Sequence, residues 1–184
     1  IQGRDAFISI LNSAGTGLSR STVIGGTDQG SASGGDPGER FMGITQDCNG
    51  NFYATGMTSG GSAGSATNFP LVNALQNTYG GGGYDLVLVQ FDSTLTGSGS
   101  LKNSTVFGGD DEDYIFLPSP IANSLGMFVP GVSHSTNFSP SPDAAVYQKF
   151  HNTDNEDNPM IYFFRFDAPA ISGNNPCVGG TISL

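Results

Sequence analysis

The chain has 184 residues and a mass of 19.0 kDa, which is room for one ordinary domain or a piece of a larger one but not for two full domains. Six Lys plus Arg stand against sixteen Asp plus Glu, a net charge of −10, so the clustered cations that neutralise phosphate are missing and neither nucleic acid nor an anionic membrane surface is an expected partner. Glycine supplies 28 residues and charged groups only 12%, a mixture that would read as disordered without the thirteen Phe and six Tyr set in regularly spaced apolar runs, so the reading is a turn-rich, all-β globular chain.

In chain order, the first apolar run is Asp5-Ala-Phe-Ile-Ser-Ile-Leu11, and it is answered by Asp85-Leu-Val-Leu-Val-Gln-Phe91 and by Met160-Ile-Tyr-Phe-Phe-Arg-Phe166. Ser21-Thr-Val-Ile-Gly-Gly26 returns as Ser104-Thr-Val-Phe-Gly-Gly109, and Gly50-Asn-Phe-Tyr-Ala-Thr-Gly56 returns, one residue shorter, as Gly126-Met-Phe-Val-Pro-Gly131. Asn68-Phe69-Pro70 is echoed by Asn137-Phe138 with Pro140. Anchors recurring in one order make an internal repeat of about 75 to 80 residues.

Each run is short, rich in β-branched and aromatic residues and bounded by Gly, Asn, Asp or Ser, which predicts strands at Phe41 to Gln46, Phe52 to Thr58, Asp85 to Phe91 and Leu101 to Phe107. Asn49-Gly50 between the first two predicts a tight hairpin. The run 85–91 is apolar on both sides, Leu86 and Leu88 on one, Val87, Val89 and Phe91 on the other, so it is expected to be covered on both faces. Four antiparallel strands per repeat, stacked with both faces covered, is the blade of a β-propeller. The connections 27–38 and 59–84 read as surface loops.

The order Asp-Ala-Phe, Ser-Thr-Val-Ile-Gly-Gly, Asp47 through Tyr53 with Gly56, Asn68-Phe69-Pro70, then Ala74-Leu75-Gln76 followed by Tyr79-Gly80-Gly81-Gly82-Gly83 and Asp85, resembles the SBBP type of β-propeller repeat found in exported bacterial proteins. The similarity spans most of residues 5 to 167 and fades in the second unit, where Pro118, Pro120 and Pro130 interrupt or edge strands. The resemblance implies a propeller fold and a secreted or cell-surface setting, and it brings no catalytic motif with it. The whole of 1–184 is then one repeat region, with blade-like units at 5–26 (half), 41–109 (full) and 114–184 (degenerate). No run of 18 apolar residues and no charged-then-apolar leader occurs, so neither a membrane span nor a signal peptide is expected, and a chain opening at Ile1 reads as a processed or excised piece.

Candidate sites are few. Asp110-Asp111-Glu112-Asp113 sets four carboxylates on one turn, where their repulsion would be relieved by Ca2+; the competing reading is a solvated acidic loop. Asp47, Asn49 and Asn51 have the oxygen spacing of a calcium loop but read first as the hairpin turn, and Asp154, Glu156 and Asp157 as a loop. Cys48 and Cys177, 129 residues apart and outside any CxxC, leave a disulfide or two inert thiols open. The two histidines, His134 and His151, lack the partners of a nucleophilic triad, and Gly80 to Gly83 lacks the Lys of a phosphate loop. Tyr79, Tyr84 and Tyr114 near loops leave glycan stacking open.

Three functions stand in order: a non-enzymatic structural or adhesive module outside the cell, a propeller that binds glycan or Ca2+, and a polysaccharide-acting propeller enzyme. Strand counting gives about two and a half blades where closure needs about four to eight. The chain is therefore expected to leave apolar faces such as those of Leu86, Val87 and Ile161 open at its ends, and to assemble with copies of itself, or with further repeats of a longer chain, into a ring or fibre.

Overall fold

The computed structural model describes residues 4–26, 38–47, 49–59, 68–115, 121–123, 126–137 and 158–164. Among them all regular structure is β apart from one 3-10 turn at Ser98–Ser100, and every pairing between named strands is antiparallel. Strands β1 (Ala6–Leu11) and β2 (Leu18–Ile24) form a hairpin; β3 (Arg40–Gln46), β4 (Phe52–Thr58), β5 (Asp85–Phe91) and β6 (Leu101–Phe107) form a four-stranded meander in that order. A third sheet holds β7 (Asp113–Tyr114), β8 (Ile121–Asn123), β9 (Gly126–Ser133) and β10 (Asn158–Phe164), with β9 in its centre. On one side of β9 the described pairings cover 126–128 through β8 and 132–133 through β7; Pro130, which has no N–H to give a ladder, stands between them.

Local chemistry explains the turns. Asp47 Oδ1 accepts from the backbone N–H of Asn49 (2.9 Å) and Asn51 (2.8 Å), Gly50 N donates to Asp47 O (3.0 Å), and Gly50 takes φ 84°, so the Asp-x-Asn-Gly-Asn stretch closes the β3–β4 hairpin. Opposite the bulge between Phe41 and Gly43 lies Gly56, where a Cβ would stand 1.8 Å from Arg40 O; only glycine admits that backbone approach.

The three sheets are layered. One face of the central sheet, through Ala54, Val87, Val89, Phe91 and Val106, packs on Ala6, Ile8 and Ile24 of the hairpin; the other, through Tyr53, Leu86 and Leu88, packs on Ile115, Met127 and Val129 of the third sheet. Burial on both faces is what the doubly apolar β5 requires, at roughly 1.5–3 kcal/mol per buried aliphatic side chain. Leu86 and Val87, expected at an open end, are therefore covered, at 3% and 1% exposure. The open faces carry instead Phe7, Leu11, Leu18 and Val23 on the hairpin and Ile161 on the third sheet, as expected for that last residue.

The connection 59–84 is not all surface loop. Val72 and Gln76 bridge to Ser104 and Val106, Phe69 is buried in the core, and the segment thereby covers the outer edge of β6. That edge would otherwise present an unpaired row of N–H and C=O groups.

Candidate functional site

The chemistry of this chain is concentrated where one sheet hands over to the next, and the handover is built twice from the same residue types. At the second junction, Asp113 N donates to Tyr84 O (2.8 Å); at the first, Glu39 N donates to Arg4 O (2.7 Å). Tyr84 and Arg4 each precede an aspartate at the start of a strand, Asp85 opening β5 and Asp5 just before β1. The Gly-Gly pairs that follow β6 and β2 fill the angle: a Cβ on Gly108 would stand 2.3 Å from Asp85 Oδ1 and 3.0 Å from Asp113 Oδ2, and one on Gly25 would stand 2.3 Å from Asp5 Oδ1. Gly109 abuts Ser135 and Asn137, and Gly26 abuts Asn68, so the Asn68 and Asn137 echo of the sequence is a shared packing position.

Each junction thus sets two acids side by side, Asp5 with Glu39 and Asp85 with Asp113. Glu39 is 7% exposed, and Asp85 and Asp113 are fully buried. Asp113 Oδ2 accepts from Gly109 N (2.7 Å) and Ser135 Oγ (2.8 Å), while Glu39 Oε1 accepts from Thr58 Oγ1 (3.2 Å). Asp85 Oδ2 accepts from Gly80 N (2.6 Å), and its Oδ1 is buried with no hydrogen bond. Burial pushes the Asp85 carboxyl up to about 7, against the pull of the Gly80 N–H and with the Asp113 charge adding to the rise. Burial likewise raises Glu39, opposed by the Gly26 N–H and the Thr58 hydroxyl, with Asp5 adding a smaller upward push. Each such pair sits where a backbone N–H of one sheet bonds a carbonyl at the start of its neighbour, and at Asp85 burial favours the neutral carboxyl.

The acidic run Asp110 to Asp113 spreads rather than gathers. Asp110 accepts from Thr136 N (2.7 Å) and Thr136 Oγ1 (2.8 Å), and these bonds, the hydroxyl first, hold its carboxyl below the usual range. Asp111 Oδ1 accepts from Glu112 N (2.8 Å), Glu112 lies against Gly83, and Asp113 turns inward. Among the described residues no three of His, Cys, Asp and Glu converge as a metal would need. In the hairpin turn, Asp47 Oδ2 accepts from Asn51 Nδ2 (2.9 Å) and Tyr53 Oη (3.0 Å), and burial, then the Asp47 charge, raises the Tyr53 phenol.

Of the three tyrosines, Tyr79 is 2% exposed, Tyr84 lies under the Arg40 guanidinium at 5.0 Å, and Tyr114 meets His134 edge to face at 5.5 Å. Gly80 and Gly81 form a turn pressed onto the backbone of Gly108 to Asp110, with a Cβ on Gly80 placed 2.2 Å from Gly109 O. Cys48, Cys177, His151, Asp154, Glu156 and Asp157 lie outside the described residues. The acids that matter most here, Asp5, Glu39 and Asp85, were not among the candidate site residues read from the sequence; the signal for the two aspartates lay in the recurring order of an Asp-led run followed by a Gly-Gly pair, Asp5 before Gly25-Gly26 and Asp85 before Gly108-Gly109. Compared with protein-family models, with curated proteins and with solved structures, the chain matches none.

Proposed function

We propose that this chain is a non-enzymatic structural or adhesive module of β-propeller-like repeats, of the SBBP type its motifs resemble, working outside the cell as part of a larger surface protein or assembly. The observation that carries this reading is the junction built twice: a backbone bond of 2.7–2.8 Å from the acid of the next first strand, a Gly-Gly at the turn, an aspartate on the third strand, and an Asn against the second glycine. A unit that repeats its junction at corresponding positions is made for stacking, and a hairpin, a four-stranded meander and a sheet in which β7 and β8 share one side of β9 and β10 takes the other accord with successive blades, the first and last of them incomplete. The acids at the junction are spent on holding sheets together, and the three tyrosines considered for sugar stacking are engaged with neighbours, which favours scaffold over ligand binding.

Antibodies raised against the purified chain test the setting: labelling of intact source cells is expected, and labelling only after permeabilisation overturns it. An experimental structure tests the architecture. Successive sheets turning about a common axis are expected, and sheets stacked without such rotation overturn the propeller.

A further inference from the structure

The repeat gives every sheet a front and a back. Within the chain the front of one sheet always covers the back of the next: Ala6 and Ile8 of the hairpin cover Val87, Val89 and Val106, and Leu86 and Leu88 cover Met127 and Val129. The pairing registers carry these positions to the two end sheets. Asp5 corresponds to Asp85 and Gly25 to Gly108, so the cross-strand pair Phe7–Val23 corresponds to Val87–Val106 and belongs to a back. Gly131 corresponds to Gly56, and their partners Met160 and Val87 make Ile161 the counterpart of Leu88, on a front.

Exposure follows coverage. Val87 and Val106 are 1% and 0% exposed, whereas Phe7 and Val23 are 67% and 64%; Leu88 is 5% exposed, whereas Ile161 is 76%. Among the described sheets, the hairpin therefore presents an open back and the third sheet an open front. The hairpin's outer face holds only Phe7, Ser9, Leu11, Leu18, Ser21 and Val23, without a charge in a chain of net charge −10. An uncharged apolar face of this kind marks an interaction surface.

We propose that the chain associates head to tail with a second copy of itself, the Ile161 face of β9–β10 in one copy covering the Phe7–Val23 face of β1–β2 in the next. The proposal rests on the stacked-repeat reading and continues the interface already made twice within each chain. The two faces differ, so the contact is heterologous, and it propagates to a ring or an open fibre according to the rotation per step.

The test uses the full 184-residue chain. Light scattering over a dilution series is expected to show a mass above 19.0 kDa that falls on dilution. Phe7→Asp and Ile161→Asp alter exposed side chains, so each is expected to melt within a few degrees of the parent and to associate at least tenfold more weakly. Mixed in equal amounts they are expected to form a dimer and stop there, because each retains the face the other has lost. Val23→Asp replaces Phe7→Asp should that variant fail to fold. A parent chain that is monomeric throughout the series, a single variant that associates as strongly as the parent, or a mixture that stays monomeric overturns the proposal. None of these outcomes touches the surface-labelling result, so the two readings fail separately.

Discussion

Asp85 and Asp113 meet beside Gly108, both shut off from solvent, where one sheet ends and the next begins. Gly108 is a glycine because its side-chain position is occupied by those two carboxyls, 2.3 and 3.0 Å from where a Cβ would stand. Two carboxylates this close in a buried site do not both ionise readily, and burial, with the Asp113 charge adding to it, raises the Asp85 carboxyl.

Stability should therefore fall as pH rises from about 4 to about 7. The Asp85 carboxyl is raised from 3.8 to about 7 in the folded chain, so over that window the unfolded chain has lost a proton that the folded chain retains. The shift corresponds to roughly 4 kcal/mol as an upper bound. Below the window the penalty is absent, and above it the penalty is complete. Glu39, raised in the same direction, adds to the slope. Asp85→Asn keeps an acceptor for Gly80 N and removes the charge, so denaturant melts of this variant are expected to show a flatter pH profile and a higher midpoint at pH 8. An unchanged slope in Asp85→Asn would assign the pH dependence to other groups.

Gly56→Ala should be among the costliest single-methyl additions in the chain. The new Cβ would lie 1.8 Å from Arg40 O and 2.8 Å from Phe41 Cα, all backbone, so no side chain can move aside and the β3–β4 ladder must open. A loss of about 3 kcal/mol or more is expected from overpacking against the backbone. Gly99→Ala, with nothing within 4 Å of its Cβ, is the control and should stay within about 0.5 kcal/mol of the parent. Urea midpoints for the two variants decide the comparison.

The strands were legible in the sequence because the repeat sets period, length and turn chemistry together. Phe52–Thr58, Asp85–Phe91 and Leu101–Phe107 fall where their apolar runs do, and β3 begins one residue earlier, at Arg40. Coverage of both faces of β5 was legible from its unbroken apolar run. The course of 68–84 was not, because Val72 and Gln76 join β6 by isolated bridges within a polar, turn-rich stretch that has no strand period. The acidic run 110–113 misled for a related reason. Four adjacent carboxylates look like one site in sequence, but Asp113 begins a strand and points inward while Asp110 turns to Thr136, a partner 26 residues away. Which residues lie at an end of the stack depends on which sheet covers which, and that placed Leu86 and Val87 inside rather than outside.

Ser135→Ala should loosen the second junction without altering its backbone. Ser135 Oγ lies 2.8 Å from Asp113 Oδ2 and accepts from Asp111 N (3.0 Å), so one hydroxyl ties the buried acid to the loop before β7. Removing it leaves Asp113 with one donor fewer in a fully buried site, at a cost of about 1–3 kcal/mol. Hydrogen exchange at the amides of Asp111 and Asp113 is expected to quicken more than at β1–β2. Equal quickening in both regions would show that the hydroxyl acts on global stability alone.

Leu88 and Ile161 occupy corresponding places on a front face, one covered and one open, so truncating each measures what a neighbouring sheet contributes. Leu88, 5% exposed, packs in the cluster with Ile115, Met127 and Val129, and Leu88→Ala would leave a cavity that the β-sheets on either side cannot close. A loss of about 2–5 kcal/mol is expected. Ile161 is 76% exposed, so Ile161→Ala in dilute solution should change stability by no more than about 0.5 kcal/mol. The contrast should narrow with concentration. If a second copy covers Ile161, the parent's melting temperature rises as the chain is concentrated, by mass action, while that of Ile161→Ala rises less. Melting curves of parent and variant across a hundredfold range of concentration measure this directly, and parallel behaviour of the two would mean that Ile161 faces water in the associated state as well.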